Sequence, residues 1–136
     1  MPISIYIAGS MSGQERITKE AQILAQAGYI ILSRCHNKYD KLELAWDNNF
    51  NGRVAEAMAM GDAYNIVESD ITIIDSIDKS STGGSDAEMG LAIMSHLLRG
   101  KPRVIHIGPH RNVFHTLARE HYDSWPDMLK IIIPCL

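Results

Sequence analysis

The segment Ser81-Thr82-Gly83-Gly84-Ser85-Asp86-Ala87-Glu88-Met89-Gly90 decides how the rest of the chain is interpreted. It lies between the apolar run at residues 71–74, which predicts a buried parallel strand, and residues 91–98, which predict a helix packed on that strand. Glycines and small hydroxyl residues favour a tight strand-to-helix loop with backbone N–H groups at the helix start. Because ligands bind at the carboxyl ends of strands in open α/β sheets, we expect a site here, with Glu88 in the first turn of the helix.

Predicted strands and helices alternate along the remainder of the chain. The predicted strands are residues 3–8, 29–32, 71–75 and 103–107 and a short strand around Tyr122, and the predicted helices are residues 15–27, 53–67, 86–98 and 112–120 and a last helix from Pro126. This alternation predicts a single α/β domain over residues 1–136, a Rossmann/flavodoxin-like three-layer sandwich with a five-stranded parallel sheet. The polar connection at residues 33–51 is long, which is typical of a lid or a binding wall.

The composition is that of a soluble globular protein. The 136 residues are 46% hydrophobic and 21% charged, and the formal net charge is −3. This balance argues against a binding surface for nucleic-acid polymers or membranes, whereas nucleotide monomers need only a local anion site. The chain has no apolar run of about 18 residues and no basic N-terminus followed by an apolar stretch, so a cytoplasmic protein is expected.

The cysteines and histidines do not follow a known metal-binding spacing. The two cysteines, Cys35 and Cys135, fit neither a disulfide framework nor a set of metal ligands. The six histidines show no HExxH pattern, and the chain has no CxxC pair. We therefore expect no metal and no other cofactor.

Four motifs occur in order along the chain and together resemble a known enzyme family. They are Tyr6-Ile7-Ala8-Gly9-Ser10, Asp62 eight residues before Asp70, Glu88-Met89-Gly90, and Gly100-Lys101-Pro102. This set resembles the nucleoside 2-deoxyribosyltransferase family, which includes the deoxynucleoside 5′-monophosphate N-glycosidases, over nearly the whole chain. The resemblance implies a single domain of that family, an enzyme that cleaves the N-glycosidic bond of a nucleoside or nucleotide.

The resemblance implies catalytic roles for three residues. Glu88 matches the family's nucleophile, which attacks C1′ of the sugar and forms a glycosyl–enzyme ester. Tyr6 matches the tyrosine that orients this carboxylate, and Asp62 matches the acid that protonates the departing base. The residues alone leave other interpretations open: Glu88 suits the first turn of a helix through the helix dipole, Tyr6 suits a core strand, and Asp62 suits a solvated helix surface.

Two loop hydroxyls are candidates for binding the 5′ end of the substrate. Thr82 stands six positions before Glu88, where the family's transferases have an acid and its monophosphate hydrolases have a serine. A hydroxyl there is able to donate to a phosphate, which a carboxylate would repel. Ser10, which follows Gly9 in the first loop, matches a phosphate-contacting serine of the family. Thr82 equally suits a turn in which its hydroxyl bonds locally.

The start of the helix after Thr82 carries features for and against a phosphate. The backbone at Gly83 and Gly84 adds N–H donors at a helix N-terminus, where anions bind. Asp86 argues the other way, because a second carboxylate that points inward disfavours a dianionic ligand. The resemblance assigns no role to Asp86.

Two further segments supply the remaining expected contacts. By the resemblance, Asn112 and His115 belong to a segment that reaches the neighbouring subunit's site and contacts the 5′ group, so a homodimer or higher homo-oligomer with shared sites is expected. His115 stands where the family has Ser or Asn, and it equally suits packing at an interface. Trp46 and Phe50 suit stacking on a base, or anchoring the core or an interface.

The combined expectation is cleavage of the N-glycosidic bond of a small-molecule nucleoside or nucleotide. The hydroxyls of Thr82 and Ser10 favour a 5′-monophosphate N-glycosidase that releases free base. Base transfer through the same ester is the alternative, because water and a second base compete for that ester. A further alternative is a non-catalytic nucleotide-binding sensor on the same fold, although the set of Glu88, Tyr6 and Asp62 favours an enzyme.

Overall fold

A computed structural model describes residues 1–33, 53–79 and 83–134 of the chain. Within these residues the strands are β1 Ser4–Gly9, β2 Ile30–Ile31, β3 Ile71–Asp75, β4 Arg103–Ile107 and β5 Glu120–Tyr122. The helices are α1 Gln14–Gln26, α2 Arg53–Glu68, α3 Gly84–Arg99 and α4 Trp125–Ile132, with short 3₁₀ helices at Met11–Gly13 and Val113–Leu117.

The five strands form one sheet in which all neighbours are parallel. The strand order is β2-β1-β3-β4-β5, which confirms the predicted α/β class and the five-stranded parallel sheet. Because β3 returns to the opposite side of β1 from β2, the winding reverses between β1 and β3. At the carboxyl ends of these two strands Gly9 lies opposite Asp75. Ligands of doubly wound sheets bind at such a switch point.

The sheet is covered by helices on both faces, as alternation of side chains along β1 illustrates. Ile5 and Ile7 point to one face and pack with buried residues of α1 and α4. Tyr6 and Ala8 point to the other face and pack with buried residues of α2 and α3. Because both faces are apolar, β3 is buried along its whole length. This arrangement is the predicted three-layer sandwich.

The described elements differ from the predicted ones mainly at their ends. The helix predicted from residue 86 begins two residues earlier, at Gly84, because Gly83 adopts a left-handed conformation with φ of 77° and ends the preceding loop. The helix predicted at residues 112–120 is a shorter 3₁₀ helix, since Glu120 instead pairs with Ile105 of β4. The last helix begins at Trp125, where the Ser124 hydroxyl caps it by accepting from the Asp127 N–H.

The predicted lid or binding wall at residues 33–51 lies outside the described residues except for Ser33, and so do Trp46, Phe50 and Thr82. Among the helices that are described, none is long and apolar enough to cross a membrane.

Candidate active site

Three residues that are far apart in sequence meet between β1, α2 and α3. Tyr6 lies in the middle of β1 and is 1% exposed, on the face that α2 and α3 cover. Asp62 lies on α2 and the half-buried Glu88 on α3. Tyr6 forms a side-chain hydrogen bond with Glu88, and the charge of Asp62 acts on the same carboxyl group. The fold therefore brings together the three residues that the sequence singled out as catalytic.

The environment of Glu88 strongly perturbs its ionisation. Burial is the main cause and raises the pKa of Glu88 from an ordinary 4.5 to about 7, because a low-dielectric site disfavours the charged form. The hydrogen bond from Tyr6 opposes this increase in pKa, and the like charge of Asp62 adds to it. A carboxyl group with these properties holds a proton up to neutral pH and is poised to lose it there. Such perturbed carboxyls are concentrated at functional sites.

The position of Glu88 within α3 differs from the predicted one. Since α3 begins at Gly84, its first turn contains Asp86, and Glu88 lies one turn into the helix. The macrodipole acts mainly within the first turn, so it does not account for an acid at residue 88. The expectation that Glu88 is a first-turn residue is therefore wrong, and the helix-dipole interpretation loses its basis. The hydrogen bond with Tyr6 and the charge of Asp62 define the environment of Glu88 instead.

A cavity of about 440 Å³ lies beside the start of α3, at the carboxyl ends of β3 and β4. Its described lining includes Asp75, Ser85, Asp86, Lys79, His110, Arg111, Asn112 and His115. Its size is within the usual range for small-molecule sites. Residues two apart on a helix project about 200° from one another. Asp86 lines this cavity, and Glu88, two residues further along α3, is directed at Tyr6.

The first loop, after β1, is held in place by its own hydrogen bonds. The Ser10 hydroxyl is buried, accepts from the Ser12 N–H at 3.3 Å and lies 2.8 Å from the Ser12 hydroxyl. It also donates to the Lys79 carbonyl at 3.4 Å, which ties this loop to the one after β3. A side chain at Gly9 would collide with Ile17 of α1. Ser10 thus shapes the loop, and its contact with a phosphate stays a prediction.

His115 is not placed as the sequence analysis expected. Its side chain is 3% exposed and packs within its own chain, with its ring 4.3 Å from the ring of His106. Its Nδ1 accepts from the Arg111 backbone N–H at 3.0 Å, and burial lowers its pKa. The expectation that His115 reaches outward into a neighbouring subunit is therefore corrected: it lines the cavity of its own chain. The adjacent Phe114 is the outward residue, at 60% exposure.

Asn112 connects the loop after β4 with the start of α3. Its Oδ1 accepts from the Phe114 N–H at 2.9 Å and caps the 3₁₀ helix, and its Nδ2 donates to Asp86 Oδ1 at 3.3 Å. This contact partly satisfies the Asp86 carboxylate in the cavity wall. Asn112 therefore supports the cavity from both sides, which is compatible with a role in binding.

Asp75 is a residue of the cavity wall that the sequence analysis did not single out. It is 3% exposed, forms a paired contact with the Arg16 guanidinium at 2.9 and 3.0 Å, and accepts from Trp125 Nε1 at 2.6 Å. These contacts tie the end of β3 to α1 and α4 and neutralise the carboxylate. The sequence did contain a signal for Asp75, since it is an acid at the carboxyl end of a strand that is predicted to be buried. The contacts indicate a structural role for Asp75.

Comparison with solved structures finds three proteins that share this fold. A 2-deoxyribosyltransferase from Bacillus psychrosaccharolyticus is 18% identical, with a TM-score of 0.63 and coverage of 92% of this chain and 89% of that one. The Clostridium botulinum CMP N-glycosidase BcmB is also 18% identical, with a TM-score of 0.57 over 95% and 97% of the two chains. A conserved protein from Enterococcus faecalis V583 is 15% identical, with a TM-score of 0.70 over the whole of both chains.

No protein-family model matches the sequence, and no curated protein matches it either. At these identities the likeness to the solved structures establishes a shared fold. The function has to be argued from the site.

Proposed function

We propose that this chain is an enzyme that cleaves the N-glycosidic bond of 2′-deoxyribonucleoside 5′-monophosphates and releases the free base. The observation that carries the proposal is the environment of Glu88, whose pKa is raised to about 7 by burial and by the charge of Asp62 and which accepts a hydrogen bond from Tyr6. The fold is shared with a 2-deoxyribosyltransferase and with a CMP N-glycosidase, which supports chemistry of this kind. A binding protein without turnover has no need of a carboxyl group held in so unfavourable a site.

In the first step, the ionised Glu88 attacks C1′ of the sugar. A bond forms between the carboxylate oxygen and C1′, the bond from C1′ to the base nitrogen breaks, and its electron pair leaves with the base. Asp62 gives its proton to the departing base. In the second step water attacks C1′ and gives a proton to Asp62, and Glu88 leaves as a carboxylate. Both residues return to their starting states, as in retaining glycosidases.

The pairing of Glu88 with Asp62 suits this division of roles. Two carboxyl groups close enough to repel each other favour a state in which they hold one proton between them. The first step requires that state, with Glu88 ionised and Asp62 protonated. Tyr6 donates to Glu88 and so stabilises the carboxylate form of Glu88. Tyr6 therefore favours the proton on Asp62, whereas burial favours it on Glu88, and the productive state is the one that the hydrogen bond from Tyr6 stabilises.

The proposed preference for a 5′-monophosphate depends on hydrogen-bond donors around the helix start and the cavity. The backbone at Gly83 and Gly84 opens α3, and Lys79, Arg111 and His115 line the cavity beside it. The hydroxyls of Ser10 and Thr82 would complete the donor set. Asp86 opposes a dianion in this cavity, and the hydrogen bond from Asn112 offsets that repulsion in part.

Base transfer by the same residues is the second candidate function. The likeness to a 2-deoxyribosyltransferase favours it, and the chemistry differs only in whether water or a second base attacks the ester. We expect Trp46, which lies outside the described residues, to stack on the base in either reaction. We also propose that the chain assembles as a homo-oligomer.

A product assay distinguishes these functions. The purified protein is incubated with deoxynucleosides, their 5′-monophosphates and the matching ribonucleotides, with and without a second free base, and products are separated by chromatography. The proposal expects free base and deoxyribose 5-phosphate from the deoxynucleotides. Formation of a nucleoside or nucleotide that carries the second base would show that the reaction is transfer and not hydrolysis. Absence of both products with every substrate would leave a non-catalytic nucleotide-binding sensor as the remaining function.

A further inference from the structure

A second group of chemically active side chains lies at the β4–β5 edge of the sheet. His106 of β4, His121 of β5 and His110 of the loop after β4 each place one ring nitrogen within 4.8 Å of the others. Their ring centroids are separated by 4.4 to 4.9 Å. His106 and His121 are direct neighbours across the two strands, where they pair in register. The parallel pairing of these strands therefore brings together a cluster that no local sequence pattern predicts.

The hydrogen bonds of Ser76 determine which nitrogen of His106 faces the cluster. The Ser76 hydroxyl lies 2.6 Å from the Pro109 carbonyl, which only accepts, so Ser76 donates its one proton there. Ser76 Oγ lies 2.7 Å from His106 Nε2 and therefore accepts the Nε2 proton. In the neutral ring this leaves Nδ1 of His106 unprotonated. That lone pair is directed at His121 Nδ1, which is 2.8 Å away.

His121 completes this contact from the other side. Its Nδ1 donates to His106 Nδ1, which has no proton of its own, and its Nε2 lies 3.5 Å from Asp123 Oδ1. The two Nδ1 atoms are therefore directed at one point, and a cation that displaces the proton between them meets two nitrogen donors there. A hydroxyl or carboxylate behind each imidazole is the arrangement that orients histidine ligands in metal sites.

We infer that His106, His110 and His121 form a binding site for one divalent transition-metal ion per chain, with Zn²⁺ as the best-matched ion. Three imidazole donors suit Zn²⁺, which takes nitrogen ligands at about 2.0–2.1 Å and tolerates an open fourth position. Tetrahedral geometry places such nitrogens about 3.3 Å apart, so His106 and His121 need to separate by about half an ångström. Exposed His110 is able to turn inward and complete the set.

His115 does not belong to this site although its ring stacks on His106. Its Nδ1 is occupied by the Arg111 N–H, and its Nε2 lies 3.5 Å from the Asn112 amide nitrogen. His110 also lines the cavity beside α3. An ion held by the three histidines therefore lies at the rim of that cavity. This inference replaces the expectation of no metal, which depended on local spacing alone, and it is independent of the proposed function.

Titration with Co²⁺, followed by its visible absorption, tests the site. We expect one Co²⁺ per chain, with a spectrum typical of nitrogen ligands, and its displacement by one equivalent of Zn²⁺. His110→Ala and His121→Ala each remove an exposed ligand without opening the core, so both variants should fold. Each should weaken Co²⁺ binding at least about 10-fold, since changes to groups behind the ligands already cost about 10- to 100-fold.

The matched control is His96→Ala. His96 lies on α3, where its Nδ1 contacts the Pro102 carbonyl at 2.9 Å, and it is not one of the clustered residues. Wild-type affinity in His96→Ala together with the two losses supports the site. No Co²⁺ binding to the wild-type protein, or undiminished binding in either His110→Ala or His121→Ala, would overturn it. Circular dichroism confirms that each variant is folded.

Discussion

Three features of its surroundings shift the pKa of the Glu88 carboxyl group, and the direction of each shift follows from its cause. Burial and the charge of Asp62 raise its pKa, and the hydrogen bond from Tyr6 lowers it, which leaves a pKa of about 7. Each influence is removable by a substitution that changes few atoms. The origin of the perturbed pKa is therefore open to test residue by residue, without assuming any activity.

Tyr6→Phe and Asp62→Asn should shift the pKa of Glu88 in opposite directions. Tyr6→Phe removes a donor to the carboxylate, so the pKa should increase above 7. Asp62→Asn removes a like charge, so the pKa should decrease. Carboxyl ¹³C NMR titration measures both, with Glu88→Gln used to assign the resonance. Shifts of equal sign, or no shift in either variant, would contradict this account of the site.

Glu88 should also reduce the stability of the folded chain at alkaline pH. Its pKa is about 7 when folded, against an ordinary 4.5. Below pH 4.5 the group is protonated in both states and has no effect. Between these values only the folded state holds the proton, so stability decreases as pH rises. Above 7 the penalty is complete, on the order of 3 kcal/mol.

Glu88→Gln should therefore have a larger free energy of unfolding than the wild type at pH 8, by about 1–3 kcal/mol, and almost no advantage at pH 4.5. Urea denaturation at both pH values measures this difference. Glu56→Gln, a change at an exposed position of α2, is the matched control and should show a small effect at both pH values. An advantage of Glu88→Gln that is the same at both pH values would show that packing, and not ionisation, is responsible.

At the scale of the elements, the start of α3 depends on one backbone conformation. Gly83 has φ of 77°, and a Cβ there would meet no atom of the described residues within 4 Å. Gly83→Ala should therefore destabilise through backbone strain alone, by about 1–2 kcal/mol. Gly90→Ala makes the same change within α3, where the described part of the chain again has no atom within 4 Å of the added Cβ. It should stabilise by about 0.5–1 kcal/mol.

Urea denaturation of the two variants gives both values under the same conditions. Opposite signs are the expected result. A Gly83→Ala protein as stable as the wild type would show that the left-handed turn at the start of α3 is not required, and the position of Glu88 relative to that turn would lose its explanation.

The sequence predicted the elements well where one face or both faces are apolar. β3 and β4 have the predicted bounds because each is a short apolar run that begins and ends at polar residues or breakers. The predicted start of α3 was two residues too late, because the sequence does not distinguish Gly83, which lies before the helix, from Gly84, which is its first residue. The helix predicted at residues 112–120 was too long because Glu120 pairs with β4, and such pairing is not visible in the local sequence.

At the scale of the whole molecule, the outer surfaces of α2 and α3 carry several large apolar side chains that are exposed. Their large exposed apolar residues are Met60, Tyr64, Leu91, Met94, Leu97 and Leu98. Exposed apolar patches of this kind mark protein–protein interfaces. This surface supports the proposed homo-oligomer, and it lies on the face of the sheet that also holds Tyr6, Asp62 and Glu88.

Sedimentation equilibrium should therefore give a dimer or larger species, and Met94→Glu, at a side chain that is 56% exposed, should shift it toward the monomer. Ile131→Glu is the matched control, because Ile131 is 58% exposed but lies on α4, across the sheet. It should leave the assembly unchanged. A monomeric wild-type protein, or equal effects of the two substitutions, would contradict the proposal that α2 and α3 form the interface.

Long-range placement limits what the sequence reveals about the site. The meeting of Tyr6, Asp62 and Glu88 was inferred from a family resemblance, because their spacing alone says nothing about proximity. His115 was expected to point outward, but the cluster of rings around His106 buries it. The histidine cluster itself results from pairing between β4 and β5, which joins residues 15 positions apart. Only the folded sheet brings such residues together.

The most direct test of the central claim is the identity of the residue that bears the sugar during turnover. The protein is quenched in acid while it cleaves a deoxynucleoside 5′-monophosphate, digested, and its peptides are mapped by mass spectrometry. The account predicts one added sugar phosphate, on the peptide that contains Glu88 and on that carboxyl group, and no such adduct in Glu88→Gln. An adduct on Asp62, or continued turnover by Glu88→Gln at the wild-type rate, would contradict it.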